Sequence, residues 1–312
     1  MAAYKEWFRK ASSGEGEIFC REWRPEQPLA ILQIAHGMAE HSGRYQVFAA
    51  FLAENGFLVC MEDHAGHGPH AQIKGHFANK DGWEHVLTDM KGLMDEVSAE
   101  HPQLPLLLMG HSMGSFLARS YIIRYGEKLS GCILMGTAGP MGAVRWGKGI
   151  AKLQMMLEGP RVPSPLLAAM ATGPYNRRIK HPVNRSAWIC SGERVALDFE
   201  ADPHCAFIFT AAGYYDMFTG LLEINSKEWA EKVPRDMPIF LLAGEEDAVG
   251  NYGKGVREVA KMLEETGHDR VTLKLYPGLR HELINEVRKE EVYQDILHWL
   301  NAALAKSEES DR

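Results

Sequence analysis

The chain has 312 residues, 46% of them apolar and 24% charged, the make-up of a folded globular protein rather than a disordered one. Its formal charge of −7 and the lack of any Lys/Arg-rich run argue against a nucleic-acid partner. No apolar run is long enough to cross a bilayer, and residues 1–10 carry charges where a secretory signal needs its apolar stretch, so cytoplasmic residence is expected.

In chain order, the pattern predicts strands at residues 17–23 and 29–35. A helix over 45–54 follows, with Val47, Phe48, Phe51 and Leu52 on one face and a stop at Asn55-Gly56. Residues 57–61 read as a strand. Residues 83–100 read as a helix, with Val86, Leu87, Met90, Leu93, Met94 and Val97 at spacings of three and four. Next come a strand at 105–109, a helix at 113–125 and a strand at 131–136. The alternation returns late, with strands at 238–243 and 271–276 and helices at 253–265 and 290–303. Short apolar strands separated by amphipathic helices predict an α/β protein with a mostly parallel sheet covered on both faces.

The middle breaks this rhythm. From about Gly139 to Thr219 the chain carries seven prolines and many Met and aromatic residues, with helical spacing at Trp146, Ile150, Leu153 and Leu157. A long insertion without strands is usually a functional lid. The expected division is a core over 1–138, a mainly helical cap over 139–219, a second core part over 220–305, and a frayed polar tail over 306–312. The apolar residues of the cap, among them Met155, Met156, Trp188, Phe207, Phe209, Tyr214, Tyr215, Met217 and Phe218, suit an acyl pocket, although ordinary lid packing must explain most of them. The cysteines at 20, 60, 132, 190 and 205 are odd in number and lack CxxC spacing, so neither a disulfide framework nor a zinc site is suggested.

Gly110-His111-Ser112-Met113-Gly114 follows one expected strand and opens the next helix. That context turns a weak short pattern into a nucleophile elbow: a sharp turn needs its flanking glycines and lifts the serine hydroxyl clear of the sheet. A serine nucleophile needs a histidine base oriented by a carboxylate, in the chain order Ser, Asp or Glu, His. Asp247 and His281 follow the last two expected strands, at the sheet edge where α/β sites form. Glu245 and Glu246 compete with Asp247, and His298 competes with His281 from inside the closing helix. After the strand at 29–35, His36-Gly37-Met38 can present the Met38 amide, with the Met113 amide as its partner, to hold an oxyanion. Four histidines, His64, His67, His70 and His76, suggest a metal site, but the glycines and proline among them indicate a loop without ligand spacing. No metal or organic cofactor is expected.

With these pieces placed, the chain resembles the α/β-hydrolase superfamily, and within it the monoacylglycerol lipase and lysophospholipase group, also described as serine aminopeptidase S33-like hydrolases. The resemblance rests on the run from His36 to Tyr45 (HGMAEHSGRY), Asp63 to Gly68 (DHAGHG), the elbow, and Arg280-His281-Glu282 with Asn285-Glu286. It implies Ser112, Asp247 and His281 as a triad and Met38 and Met113 as oxyanion amides. Met38-Ala39 departs from the small pairs, often Ala-Gly, common there, which bears on the width of the acyl entrance. The implied activity is carboxylic-ester hydrolysis through an acyl-enzyme, on a monoacylglycerol, lysophospholipid or other single-chain ester. The partner is thus a small-molecule acyl ester, with transient contact to a membrane surface possible. A thioesterase, amidase or aminopeptidase would use the same triad, and a non-catalytic binding relative would usually lack one of its members.

Overall fold

The computed structural model describes residues 2–310, with side chains to residue 305. Eight strands form one sheet in the order β1-β2-β4-β3-β5-β6-β7-β8: β1 Ala3–Lys10, β2 Glu17–Arg24, β3 Ala30–Ala35, β4 Phe57–Glu62, β5 Leu106–His111, β6 Leu129–Met135, β7 Ile239–Gly244 and β8 Val271–Tyr276. The β1–β2 and β2–β4 pairs are antiparallel, and every pair from β4 to β8 is parallel. The chain is an α/β hydrolase fold with a mostly parallel sheet, as expected.

The continuous apolar strands mark burial on both faces. In β3, Ile31 joins the core on one side, and Leu32 and Ile34 join the core on the other. The first core packs against α2 Gly82–Glu100, α3 Met113–Tyr125 and α9 Lys254–Glu265, and the second against α1 Gln46–Glu54 and α10 Lys289–Ser310. All five cysteines are buried and free. The helix α10 runs to Ser310, past the expected start of a frayed tail at Lys306; the side chains from 306 on and residues 311 and 312 lie outside the described residues.

The sequence pattern did not predict β1. Its side chains are mostly exposed, so no apolar alternation marks it, and it is fixed by an eight-residue register running from Ala3 opposite Arg24 to Lys10 opposite Glu17. Its charges also discourage pairing at this open edge.

Between β6 and β7 the chain adds five helices: α4 Val144–Glu158, α5 Pro165–Ala171, α6 Glu193–Ala201, α7 Ala211–Ile224 and α8 Lys227–Lys232. The α7 helix seats this segment on the core. A Cβ at Gly220 would overlap the Trp83 ring of α2, whose Nε1 donates to Ser120 Oγ of α3 at 3.0 Å. Gly220→Ala should therefore destabilise the fold by roughly 1–3 kcal/mol in urea titration through overpacking. Gly142→Ala, with nothing within 4 Å of the added methyl, should leave the midpoint unchanged.

Candidate active site

The strand β5 runs to His111, and Ser112 makes the whole turn into α3 with φ 54° and ψ −122°. Such a backbone is strained for any residue with a Cβ. It is held by the Ser112 amide, which donates to the Met135 carbonyl at 2.9 Å. The motif's glycines are steric necessities: a Cβ at Gly110 would strike the Gly114 carbonyl, and one at Gly114 would strike the Ala35 carbonyl.

Facing the elbow is the loop after β3. Gly37 comes so close that an added Cβ would lie 3.1 Å from Ser112 Cβ. His36 sets the direction of the next peptide. Its Nε2 accepts from the His64 amide at 3.0 Å, so its proton is on Nδ1, which donates to the Gly37 carbonyl at 2.8 Å. In a trans peptide the Met38 N–H then points the opposite way. Burial pushes the His36 imidazole down to about 3, with the neighbouring His64 adding to the effect, and so keeps it neutral. Ala39 takes φ 53°, and its amide donates to His67 Nε2 at 3.3 Å. The Ala-Gly pairing common at these positions thus has a reason here, because the second residue sits in the left-handed region.

The Asp63-to-Gly68 motif braces this loop from behind. Asp63 Oδ1 accepts from the Ser42 amide at 2.8 Å and the Ser42 hydroxyl at 2.5 Å. Gly66 and Gly68 have φ of +76° and +72°; a Cβ at either would overlap the His76 backbone or the Asp63 carboxylate.

Beyond β7, Asp247 Oδ1 accepts from the Val249 amide at 2.8 Å and Oδ2 lies 2.9 Å from His281 Nδ1. Asp247 and His281 are 0% and 2% exposed, whereas Glu245 and Glu246 face solvent and His298 is exposed on α10. With Nδ1–H spent on Asp247, His281 Nε2 is buried without a partner, in the wall of the same cavity as Ser112, Met38 and Met113. Burial lowers the His281 pKa, but the Asp247 charge and hydrogen bond outweigh it, so the net value is raised.

The sequence reading missed a polar network under this wall. Glu40 Oε1 accepts from the Gly37 amide at 2.6 Å and from Tyr45 Oη at 2.8 Å, and lies 3.2 Å from His111 Nδ1. Arg44 spans from Glu40 Oε2 at 2.7 Å to both oxygens of Glu282 at 2.5 and 2.7 Å. Burial opposes ionisation of Glu40, but the His111 hydrogen bond and the Arg44 charge hold its pKa well below the usual value. The run from His36 to Tyr45 contains these residues, but only as part of a motif; nothing local pairs Arg44 with Glu282.

The cavity measures about 490 Å³. Its wall combines Glu40, His111, Ser112 and His281 with apolar residues such as Val144, Met217, Phe218 and Leu221, and it also carries Asn176, Arg185 and Ser186. Trp188 flanks His281, their ring centres 5.1 Å apart. Of the apolar residues singled out between β6 and β7, Trp188, Phe207, Tyr214, Met217 and Phe218 line it; Met155, Met156, Phe209 and Tyr215 do not.

The four histidines of the 64–76 loop have separate tasks. His70 packs on Phe8 and Phe19, His76 bonds Thr210, and His64 and His67 support the loop after β3. Among the described residues, the ligand-type atoms close enough to share an ion belong to His41, Asp202 and Cys205. There His41 Nδ1 accepts from the Gly43 amide, so its Nε2–H donates to Asp202 at 2.9 Å and the pair is a hydrogen bond joining the inserted segment to the loop after β3.

Residues 26–288 match the family described as serine aminopeptidase, S33. A monoacylglycerol lipase of Mycolicibacterium smegmatis is 28% identical over 93% of this chain and 95% of its own. Human monoglyceride lipase is also 28% identical, over 91% and 85% of the two chains. The structure of a thermostable carboxyl esterase from Bacillus coagulans in complex with glycerol superposes with a TM-score of 0.92 at 32% identity, covering 97% of this chain and 100% of that one.

Since Asp247 raises the His281 pKa, NMR titration should find this imidazole protonating above the ordinary histidine value of about 6.5. Asp247→Asn should move it below the wild-type value, while the His36 and His64 rings stay neutral throughout.

Proposed function

The chain belongs to the serine aminopeptidase S33 family of α/β hydrolases, and from that premise we propose that it cleaves carboxylic esters through an acyl-enzyme on Ser112. The observation that carries this reading is His281: its Nδ1 is tied to buried Asp247, and its Nε2 is unpartnered in the wall of the Ser112 cavity. In this reading Ser112 Oγ attacks the ester carbonyl as Nε2 takes its proton. Asp247 holds the ring in the Nδ1–H tautomer and stabilises the imidazolium. The Met38 and Met113 amides hold the oxyanion, each worth about 2.7–4 kcal/mol of barrier. The imidazolium then protonates the leaving alcohol, and the neutral ring activates water for deacylation. These steps need no metal or organic cofactor.

A monoacylglycerol or another single-chain ester suits the cavity, whose largely apolar wall would take the chain while its polar side chains would take the head. The relatives named as monoacylglycerol and monoglyceride lipases support the same class. An aminopeptidase would need a free carboxylate to anchor a substrate ammonium, and Glu40 and Glu282 are both held by Arg44. Residues 139–219 act as the cap in this proposal. The outer face of α4 supports brief contact with a membrane surface: Trp146 is 78% exposed and Met156 and Leu157 are each 75% exposed, on a helix that also carries Arg145, Lys148 and Lys152. Among the described residues, no helix is long and apolar enough to cross a membrane. Five free thiols support residence in the reducing cytoplasm.

Assays on p-nitrophenyl esters of graded length should show an optimum at medium or long chains, and an optimum at acetyl would contradict the lipid reading. Ser112→Ala should abolish turnover and fluorophosphonate labelling, and Asp247→Asn should lower kcat by roughly 10⁴-fold. Because neutral His281 is the base, kcat/KM should rise with pH through an acid limb above about 6.5.

A further inference from the structure

Arg280 and Glu286, two residues of the histidine-loop motif, have no part in the chemistry proposed above. Both reach the inserted segment at residues 187–191. Residues 187–189 form one turn of 3₁₀ helix, too short to satisfy its own carbonyls. The histidine loop supplies the missing donors. Arg280 Nη1 donates to the Ala187 and Cys190 carbonyls, each at 2.8 Å, and the Glu282 amide donates to the Ile189 carbonyl at 2.7 Å. Glu286, which is buried, faces the other way. Its Oε1 accepts from the Ser191 amide at 2.8 Å and from the Arg280 amide at 2.7 Å, and its Oε2 accepts from the Ser191 hydroxyl. The turn is therefore fastened to the histidine loop at both of its ends.

Trp188 is the middle residue of that turn. Its ring centre lies 5.1 Å from that of His281, and the Tyr175 ring backs it at 4.9 Å. His281 itself lies outside any helix or strand, and its one side-chain hydrogen bond, from Nδ1 to Asp247, does not set the tilt of the ring. Packing has to set it. Two boundaries belong to the core: His111, with ring centres 4.8 Å apart, and Gly136, where an added Cβ would lie 3.0 Å from His281 Cε1. Trp188 is the boundary contributed by the inserted segment.

We propose that Arg280 is a positioning residue: through the Trp188 turn, and with Glu286 as its partner, it holds the His281 ring at the tilt that aims Nε2 toward Ser112. The kinetic consequence rests on the acyl-enzyme reading, whereas the hold on the ring can be read without turnover. Arg280 lies outside the lining of the acyl cavity, so its loss acts on the reacting geometry and not on substrate binding.

Two measurements test this on Arg280→Gln, Trp188→Leu and Trp188→Phe: turnover of p-nitrophenyl acetate, whose acyl group is too short to sense the cavity wall, and the far-downfield proton NMR signal of His281 Nδ1–H. In Arg280→Gln, kcat should fall on the order of 10–100-fold with KM unchanged, and the signal should broaden through exchange with water. Trp188→Leu should behave alike, whereas Trp188→Phe, which keeps a ring against His281, should retain most of both. The Trp188 pair carries the test if Arg280→Gln does not fold. A merely structural Arg280 would lower the urea midpoint and leave kcat and the signal of the folded protein at wild-type values, which would overturn the proposal. A rise in KM at unchanged kcat, or equal losses in Trp188→Phe and Trp188→Leu, would overturn it as well. Failure of the acyl-enzyme reading is a separate result, seen as turnover that survives Ser112→Ala, and the Nδ1–H signal then decides alone.

Discussion

The left-handed backbone of Ser112 is the constraint around which the site is built. A single residue turns the chain from β5 into α3, at a cost of about 1–3 kcal/mol for a residue with a side chain. The surroundings leave no alternative: the Ser112 amide is bonded across to β6, and α3 buries Met113, Leu117 and Ala118 from its first turn. Glycine at 110 and 114 follows from the same constraint, since the chain at each position passes within contact of another carbonyl. The strain thus points one hydroxyl into the cavity and places the open end of a helix beside it.

The loop facing that hydroxyl is held partly by buried groups that carry no charge. His36, His64 and His67 lie ring against ring at tilted angles and are all depressed in pKa by burial, so they work as neutral donors and acceptors. A charged histidine at 36 would still donate from Nδ1 to the Gly37 carbonyl but could not accept from the His64 amide, so the brace between the two loops would be lost. The full charges sit in pairs, where Arg44 binds the loop carrying Glu40 to the one carrying His281 and Glu282. In the mechanism proposed, this keeps the two halves of the site in register and compensates the Glu40 and Glu282 carboxylates of the cavity wall.

Much of this was legible in the sequence because local steric demands leave local marks. The parallel strands appear as short apolar runs, and the elbow and the 63–68 loop appear as glycines at fixed offsets. Asp247 was separable from Glu245 and Glu246 only by the turn it begins; burial, which distinguishes them physically, is a property of the fold. The edge strand β1 escaped notice because a strand exposed on both faces needs no apolar alternation. The Arg44–Glu282 pair, 238 residues apart, and the Glu40–His111 contact had no mark at all, since each partner alone is an ordinary polar residue in a loop. The same holds for the insertion: the apolar spacing of α4 predicted a helix correctly, yet Trp146, Leu153 and Leu157 face outward, while Val144, Gly147 and Ala151 are the buried positions.

Rapid-quench mass spectrometry during turnover of a slowly deacylated p-nitrophenyl ester tests the central claim most directly. The account predicts a mass increase of one acyl group on the peptide containing Ser112, appearing with the burst of p-nitrophenol and decaying as hydrolysis proceeds. An acyl group on another residue, or full turnover with Ser112 unmodified throughout, would contradict it.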